Sequence, residues 1–160
     1  MTASWTDRVF LGRIVESLGD LIESQSADLF RQAGLVIPVK SCSLMMAIRT
    51  LEPAAAVDLA RHLNCSHQLV LQKIPKLLTL GLIDQQPSRE DQRKNLFRLT
   101  DRGRHQLSLA DALFPAIEQA YADLGEGATD IYRAVETTTA ALLARPLAER
   151  VDQDRIPRPE

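Results

Sequence analysis

Fifteen residues constrain this chain more than any others: Arg89-Glu-Asp-Gln-Arg-Lys-Asn-Leu-Phe-Arg-Leu-Thr-Asp-Arg-Gly103. They open as a charged, aperiodic turn and pass into Leu96-Phe97-Arg98-Leu99, a run suited to a strand. They stop at Thr100, whose hydroxyl can cap a following helix. Upstream, Leu82 to Gln86 reads as a second strand, so Pro87 to Asn95 becomes a charged tip between two short strands.

Ahead of that hairpin stand two short helical segments. Ala55 to Leu63 turns Val57, Leu59, Ala60 and Leu63 inward, and His67 to Leu80 does the same with Val70, Ile74, Leu77 and Leu78. Asn64-Cys65-Ser66 is the turn between them, with Ser66 placed to cap the second segment and Gly81 free to take positive φ at its end. Two helices across so tight a turn predict a helix-turn-helix, whose second helix suits the major groove of DNA.

The flanks are helical as well. Phe10, Ile14, Leu18 and Leu21, beside Leu11, Val15, Ile22 and Leu29, mark one helix over residues 6–33, with Gly34 as its stop. A helix this early has little chain around it to cover so wide a stripe, so part of the stripe is expected to pack on a second subunit. Pro38 breaks the pattern, and Val39 to Thr50 follows as a helix through Leu44, Met45, Ile48 and Leu51, ended by Glu52-Pro53. Beyond Thr100, helical spacing returns in Leu107, Ala110, Leu113, Ile117, Tyr121 and Leu124, with a kink expected at Pro115. Gly125 to Gly127 is a connector, and Ala128 to Ala144 a last helix through Ile131, Val135, Thr138 and Leu142.

These elements predict a mainly α chain with a small β wing; 4% aromatic residues and 7 Gly favour helices over a sandwich or barrel. The expected organisation is a single domain over 1–160. Within it, 39–103 form a winged helix-turn-helix, 6–33 and 104–145 dimerisation helices, and 146–160 a loosely ordered tail.

The charge is unevenly spread. Arg61 to Arg104 holds nine basic and four acidic residues, a local +5 in a chain of net −2, which leaves −7 for the rest. A basic module on an acidic body is the electrostatic footprint of a DNA-facing surface. Within it, Ser66, His67, Gln68, Leu71, Gln72, Lys73 and Lys76 are the candidate recognition-helix contacts. Gln can pair bidentately with adenine, and Lys can reach guanine or a phosphate. In the tip, Arg93 suits a narrow minor groove, while Arg89, Lys94 and Arg98 suit phosphates.

Asp91-x-Arg93 followed by Leu99-Thr100-x-x-Gly103, behind a helix-turn-helix, resembles the wing of the multiple antibiotic resistance regulator (MarR) family. The resemblance extends loosely from Phe10 to Leu142, with specific motifs between Leu59 and Gly103. It implies a homodimeric transcription regulator, a repressor on a pseudo-palindromic operator in double-stranded DNA, released by a small-molecule effector. It also implies that Asp91 holds Arg93 in position rather than touching DNA. The effector-binding residues are unassigned; the resemblance implies a pocket drawn from the first, second and fifth helices. The chain departs from the family at Gln72, where an Arg is frequent, and at Pro75, where an acidic or polar residue is frequent. Operator preference therefore does not carry over.

Other chemistry finds less footing. His62, Cys65 and His67 lie close together, but structural zinc takes four ligands at recognisable spacing and no fourth is nearby. There is no Ser/His/Asp order, Gly-rich phosphate loop or paired acids in a cleft-like context, so neither an enzyme nor a cofactor is expected. Two cysteines, Cys42 and Cys65, form no disulfide framework and suggest a reducing, cytoplasmic setting; no apolar run spans a membrane. Two alternatives remain open: a winged helix used as a protein-interaction module, and a regulator that senses oxidants through Cys42 or Cys65.

Overall fold

The computed structural model describes residues 7–88, 94–124, 130–152 and 155–156. The chain divides into two compact units, one up to Phe114 and one from Pro115.

The first unit begins with a single 3-10 turn, Arg8–Phe10, which leads into α1, Leu11–Gln32. Only the end of α1 is anchored: Ser26 and Phe30 are buried, whereas Phe10, Leu11, Ile14, Val15, Leu18 and Leu21 are exposed. A second 3-10 turn, Val39–Ser41, opens α2, Cys42–Leu51. The two-residue strand β1, Ala54–Ala55, precedes α3, Ala56–His62. The turn to α4, His67–Thr79, then leads to β2, Ile83–Pro87, and β3, Asn95–Leu99. Last comes α5, Asp101–Leu124, which runs on through Pro115, the residue at which the units divide.

α3 and α4 end in the same way. Cys65 N–H donates to Ala60 O (3.0 Å) and Asn64 N–H to Arg61 O (3.2 Å); Leu82 N–H donates to Leu77 O (3.0 Å) and Gly81 N–H to Leu78 O (2.9 Å). Each pair closes the helix around a left-handed residue, Asn64 at φ 49° and Gly81 at φ 64°. That geometry turns the chain sharply after α3 and explains why Asn-Cys-Ser suffices to connect the two helices.

The sheet order is β1-β3-β2, antiparallel throughout, with Ala54 opposite Phe97 and Gln85 opposite Phe97 on its other side. β1 corrects the sequence reading, which began a helix at Ala55; two residues are too few to show a strand period. The core lies where the sheet meets the helices: Leu44, Met45 and Ile48 of α2, Leu59 of α3, Val70 and Leu77 of α4, Leu82, Ile83 and Leu107 are almost fully buried. Val57 and Leu51, expected inward, are exposed instead. The architecture is the expected one, helices with a small β wing.

The second unit holds the end of α5, α6 (Ile131–Ala144) and α7 (Leu147–Arg150). Asp130 caps α6 by accepting from Arg133 N–H at 3.0 Å. α7 lies in the stretch expected to be a loose tail, and Arg150 ties it back by donating to Ala141 O (2.6 Å) and Arg145 O (2.8 Å). On α6, Ile131, Tyr132, Val135, Leu142 and Leu143 are exposed.

Candidate nucleic-acid interface

α3, the Asn64–Ser66 turn and α4 form the helix-turn-helix. Ser66 caps α4 as its position predicts: the hydroxyl oxygen accepts from Leu69 N–H at 3.2 Å. Val70, Ile74 and Leu77 hold α4 to the core. Because successive residues advance by about 100° around a helix, the opposite face is then fixed. Gln68, Gln72, Pro75, Lys76 and Thr79 are exposed on it, Leu71 is exposed at its edge, and Ser66 and His67 are exposed at the helix start. The helix continues through Pro75, which has no N–H to offer Leu71 O. Thr79 Oγ1 donates to Pro75 O at 2.9 Å.

Lys73 is placed differently from the other candidates. It is half-buried, and its ammonium donates to the backbone carbonyl of Lys40. Lys40 in turn pairs with Asp20 (3.1 Å) and Glu23 (2.5 Å) of α1, carboxylates that raise its pKa. This chain of contacts links α4 to α1 through the turn before α2, a tie between residues 33 positions apart that no local pattern reveals.

The β2–β3 hairpin stands beside this helix in sequence. Arg98 is exposed on β3, opposite Asp84 of β2, and Lys94 is exposed at the base of the connection, its carbonyl accepting from Ser88 N–H at 2.8 Å. Arg89, Asp91 and Arg93 lie outside the described residues.

The far end of the hairpin is locked to the helices by residues of the Leu-Thr-x-x-Gly motif. Thr100 Oγ1 donates to Gly81 O (2.7 Å) and accepts from Gly103 N–H (3.0 Å), so one hydroxyl closes α4's end and caps α5. Leu82 O accepts from Thr100 N–H at 3.1 Å. Sequence reasoning missed the next partner, Glu52. Its carboxylate accepts from Leu99 N–H at 2.7 Å and from the Arg104 guanidinium. Burial pushes the Glu52 pKa up, but Arg104 and the Leu99 amide outweigh it and hold the group below its ordinary value. Gln106, also missed, is buried and bridges the loop after α1, accepting from Val36 N–H (2.6 Å) and donating to Gly34 O (3.3 Å). The Arg49 guanidinium meets Asp111 with a two-pronged contact, 2.6 and 3.2 Å.

The cysteines are unlike one another. Cys42 is buried, and desolvation, aided by nearby Asp111, pushes its thiol up to about 11. Cys65 is half-buried in the turn. Among the described residues no three His, Cys, Asp or Glu side chains converge as metal ligands, and no helix is long and apolar enough to cross a membrane. A cavity of about 460 Å³ is lined by Leu51, Pro53, Ala54, Asp58, Arg61 and His62, at α2's end and along α3.

Residues 42–103 match the family described as winged helix DNA-binding domain. No curated protein matches the chain. Among solved structures, a probable transcriptional regulator from Pseudomonas aeruginosa is similar at 20% identity and TM-score 0.60, over 82% of this chain and 96% of that one. A mutant MarR from E. coli complexed with operator DNA is similar at 17% identity and TM-score 0.64, over 91% and 99%. The PcaV transcriptional regulator from Streptomyces coelicolor, in complex with its natural ligand, is similar at 16% identity and TM-score 0.62, over 91% and 98%. Over residues 42–103 the chain is therefore similar to a winged helix DNA-binding domain. Its fold is that of these solved transcription regulators, MarR among them, as the sequence resemblance implied.

Proposed function

We propose that this protein is a homodimeric transcriptional repressor, acting in the cytoplasm on a pseudo-palindromic operator and released by a small ligand. One observation carries the reading. α4 is fixed to the core by one face and presents Gln68, Leu71, Gln72 and Lys76 to solvent on the other, within a segment of net +5. α4 enters the major groove, and Arg93, with Asp91 holding it, enters the adjacent minor groove. Arg89, Lys94 and Arg98 meet phosphates, contacts that position the domain without reading sequence. Lys73 serves from behind, fastening α4 to the Lys40 carbonyl.

The dimer accounts for α1. Its apolar face is exposed within one chain, and a second copy related by two-fold symmetry is the partner that matches it. Recognition helices of such a dimer sit about one helical turn apart on B-DNA, ~34–36 Å. The ligand rests on the family resemblance and on the ligand-bound PcaV neighbour. Binding only a spacing unfit for DNA, it would release the operator by population shift. Nothing in the site points to catalysis, and no enzymatic activity is proposed.

The test is a gel-shift titration of the full chain on its own upstream region, with excess random duplex and with Arg93→Ala as control. A selective shift, weakened on the order of tenfold or more in the variant, is the expected result. No selective shift at moderate salt overturns the reading in favour of a protein-interaction module.

A further inference from the structure

The outer face of α4 has a composition of its own. Taking Val70, Ile74 and Leu77 as the inward direction, the helical sweep of about 100° per residue puts Gln68 and Gln72 near the centre of the outer face, beside Thr79. Pro75 and Lys76 flank them on either side, and Leu71 falls at the edge. Leu71, at 46% exposure, is an apolar side chain left half in solvent. α4 contains no Arg, the ammonium of Lys73 is taken by the Lys40 carbonyl, and Lys76 stands on the flank of the two glutamines opposite Pro75.

We propose that α4 reads A·T base pairs in the major groove, Gln68 and Gln72 on adenine edges and Leu71 with Pro75 on thymine methyls. This rests on the DNA-binding reading above and specifies what that site selects. The chemistry discriminates at each position. An adenine presents an acceptor, N7, beside a donor, N6–H₂, which a carboxamide satisfies with its own donor and acceptor. Guanine presents two acceptors, N7 and O6, and would leave the glutamine carbonyl facing an acceptor. Cytosine presents a donor without the methyl group that thymine carries at C5. Leu71 and the Pro75 ring have no hydrogen bond to offer and match the methyl alone. The commonest guanine reader, an Arg fork on O6 and N7, is missing from the helix. Lys76, a long flexible cation on the flank of the face, is assigned to a phosphate of the groove wall.

The test begins with selection of the full chain's preferred sites from a random duplex library, read by sequencing. The expected result is two half-sites whose centres are A·T pairs. Uracil then replaces each thymine of the selected site, removing one methyl group and nothing else. Affinity of the wild-type protein should fall about fourfold per contacted methyl, the value of one buried carbon group, and Leu71→Ala should be indifferent to the exchange. Selective enrichment of G·C pairs at the half-site centres overturns this assignment and leaves the regulator intact. Enrichment of no sequence overturns the DNA-binding reading and this inference with it. The library selection uses the unaltered chain, so its outcome does not depend on how well Leu71→Ala folds.

Discussion

The carbonyl oxygen of Leu82 occupies the space that a side chain at residue 103 would need: a Cβ built on Gly103 would lie 2.0 Å from it. The same carbonyl accepts from Thr100 N–H, so it is fixed where it stands. The glycine of the Leu-Thr-x-x-Gly motif is thus a packing requirement, set by the close passage of α5's first turn over the chain entering β2. Gly103→Ala would gain helix propensity but must displace backbone. We expect a net loss of about 1–3 kcal/mol and a melting temperature lower by several degrees. A variant that melts at or above the wild type would refute the close approach.

Glu52 makes the hairpin's attachment sensitive to acid. Its folded pKa is held below the ordinary 4.5 by Arg104 and the Leu99 amide, against the opposing pull of burial. A carboxyl depressed on folding contributes stability above its unfolded pKa, and that contribution is lost as pH falls through the folded value. Glu52→Gln keeps the shape and removes the charge. Chemical denaturation should show the variant less stable at pH 7, with the gap to wild type narrowing below pH 4.5. A gap that stays constant down to pH 3 would show that the ion pair contributes nothing.

Cys42 should be chemically silent in the native state. With its thiol pushed up to about 11, only about one molecule in a thousand carries the thiolate at pH 8, and the side chain is buried besides. Alkylation of native protein followed by mass mapping should label Cys65 well ahead of Cys42, with Cys42 reacting once the chain is unfolded. Peroxide should alter DNA binding no less in Cys42→Ser than in wild type. Rapid native labelling of Cys42, or loss of a peroxide response in that variant, would restore the oxidant-sensing alternative through this residue.

What the sequence disclosed and what it concealed separate along a physical line. The Ser66 cap, the α4 span, Gly81's positive φ, Thr100's role and the hairpin strands all rest on signals within a few residues, where spacing and side-chain chemistry act directly. Glu52 on Leu99, Gln106 on Val36 and Lys73 on Lys40 join positions 47, 70 and 33 apart, and nothing local marks them. β1 is a strand only because β3 accepts it. Val57 and Leu51 fit the helical period yet face outward, since periodicity finds an apolar residue without telling which neighbour covers it. For α1 the same limit worked the other way: its stripe was legible, and so was the shortage of chain to bury it.

That stripe also gives the sharpest test of assembly. Ile14, Leu18 and Leu21 are spaced to share one face of α1, at 41%, 38% and 54% exposure. Ile14→Glu combined with Leu18→Glu would set four carboxylates against one another across a two-fold interface, each losing water with no cation to meet it. Neither residue is needed to hold α1 to its own core, which is gripped near Ser26 and Phe30. Analytical ultracentrifugation should find the wild type dimeric at micromolar concentration and the double variant monomeric, with unchanged helical content by circular dichroism. Operator affinity should fall by two orders of magnitude or more, because the second half-site is then no longer engaged as an intramolecular event. A variant that remains dimeric would move the interface away from α1, and one that is monomeric yet binds the operator at full strength would remove the dimer from the mechanism.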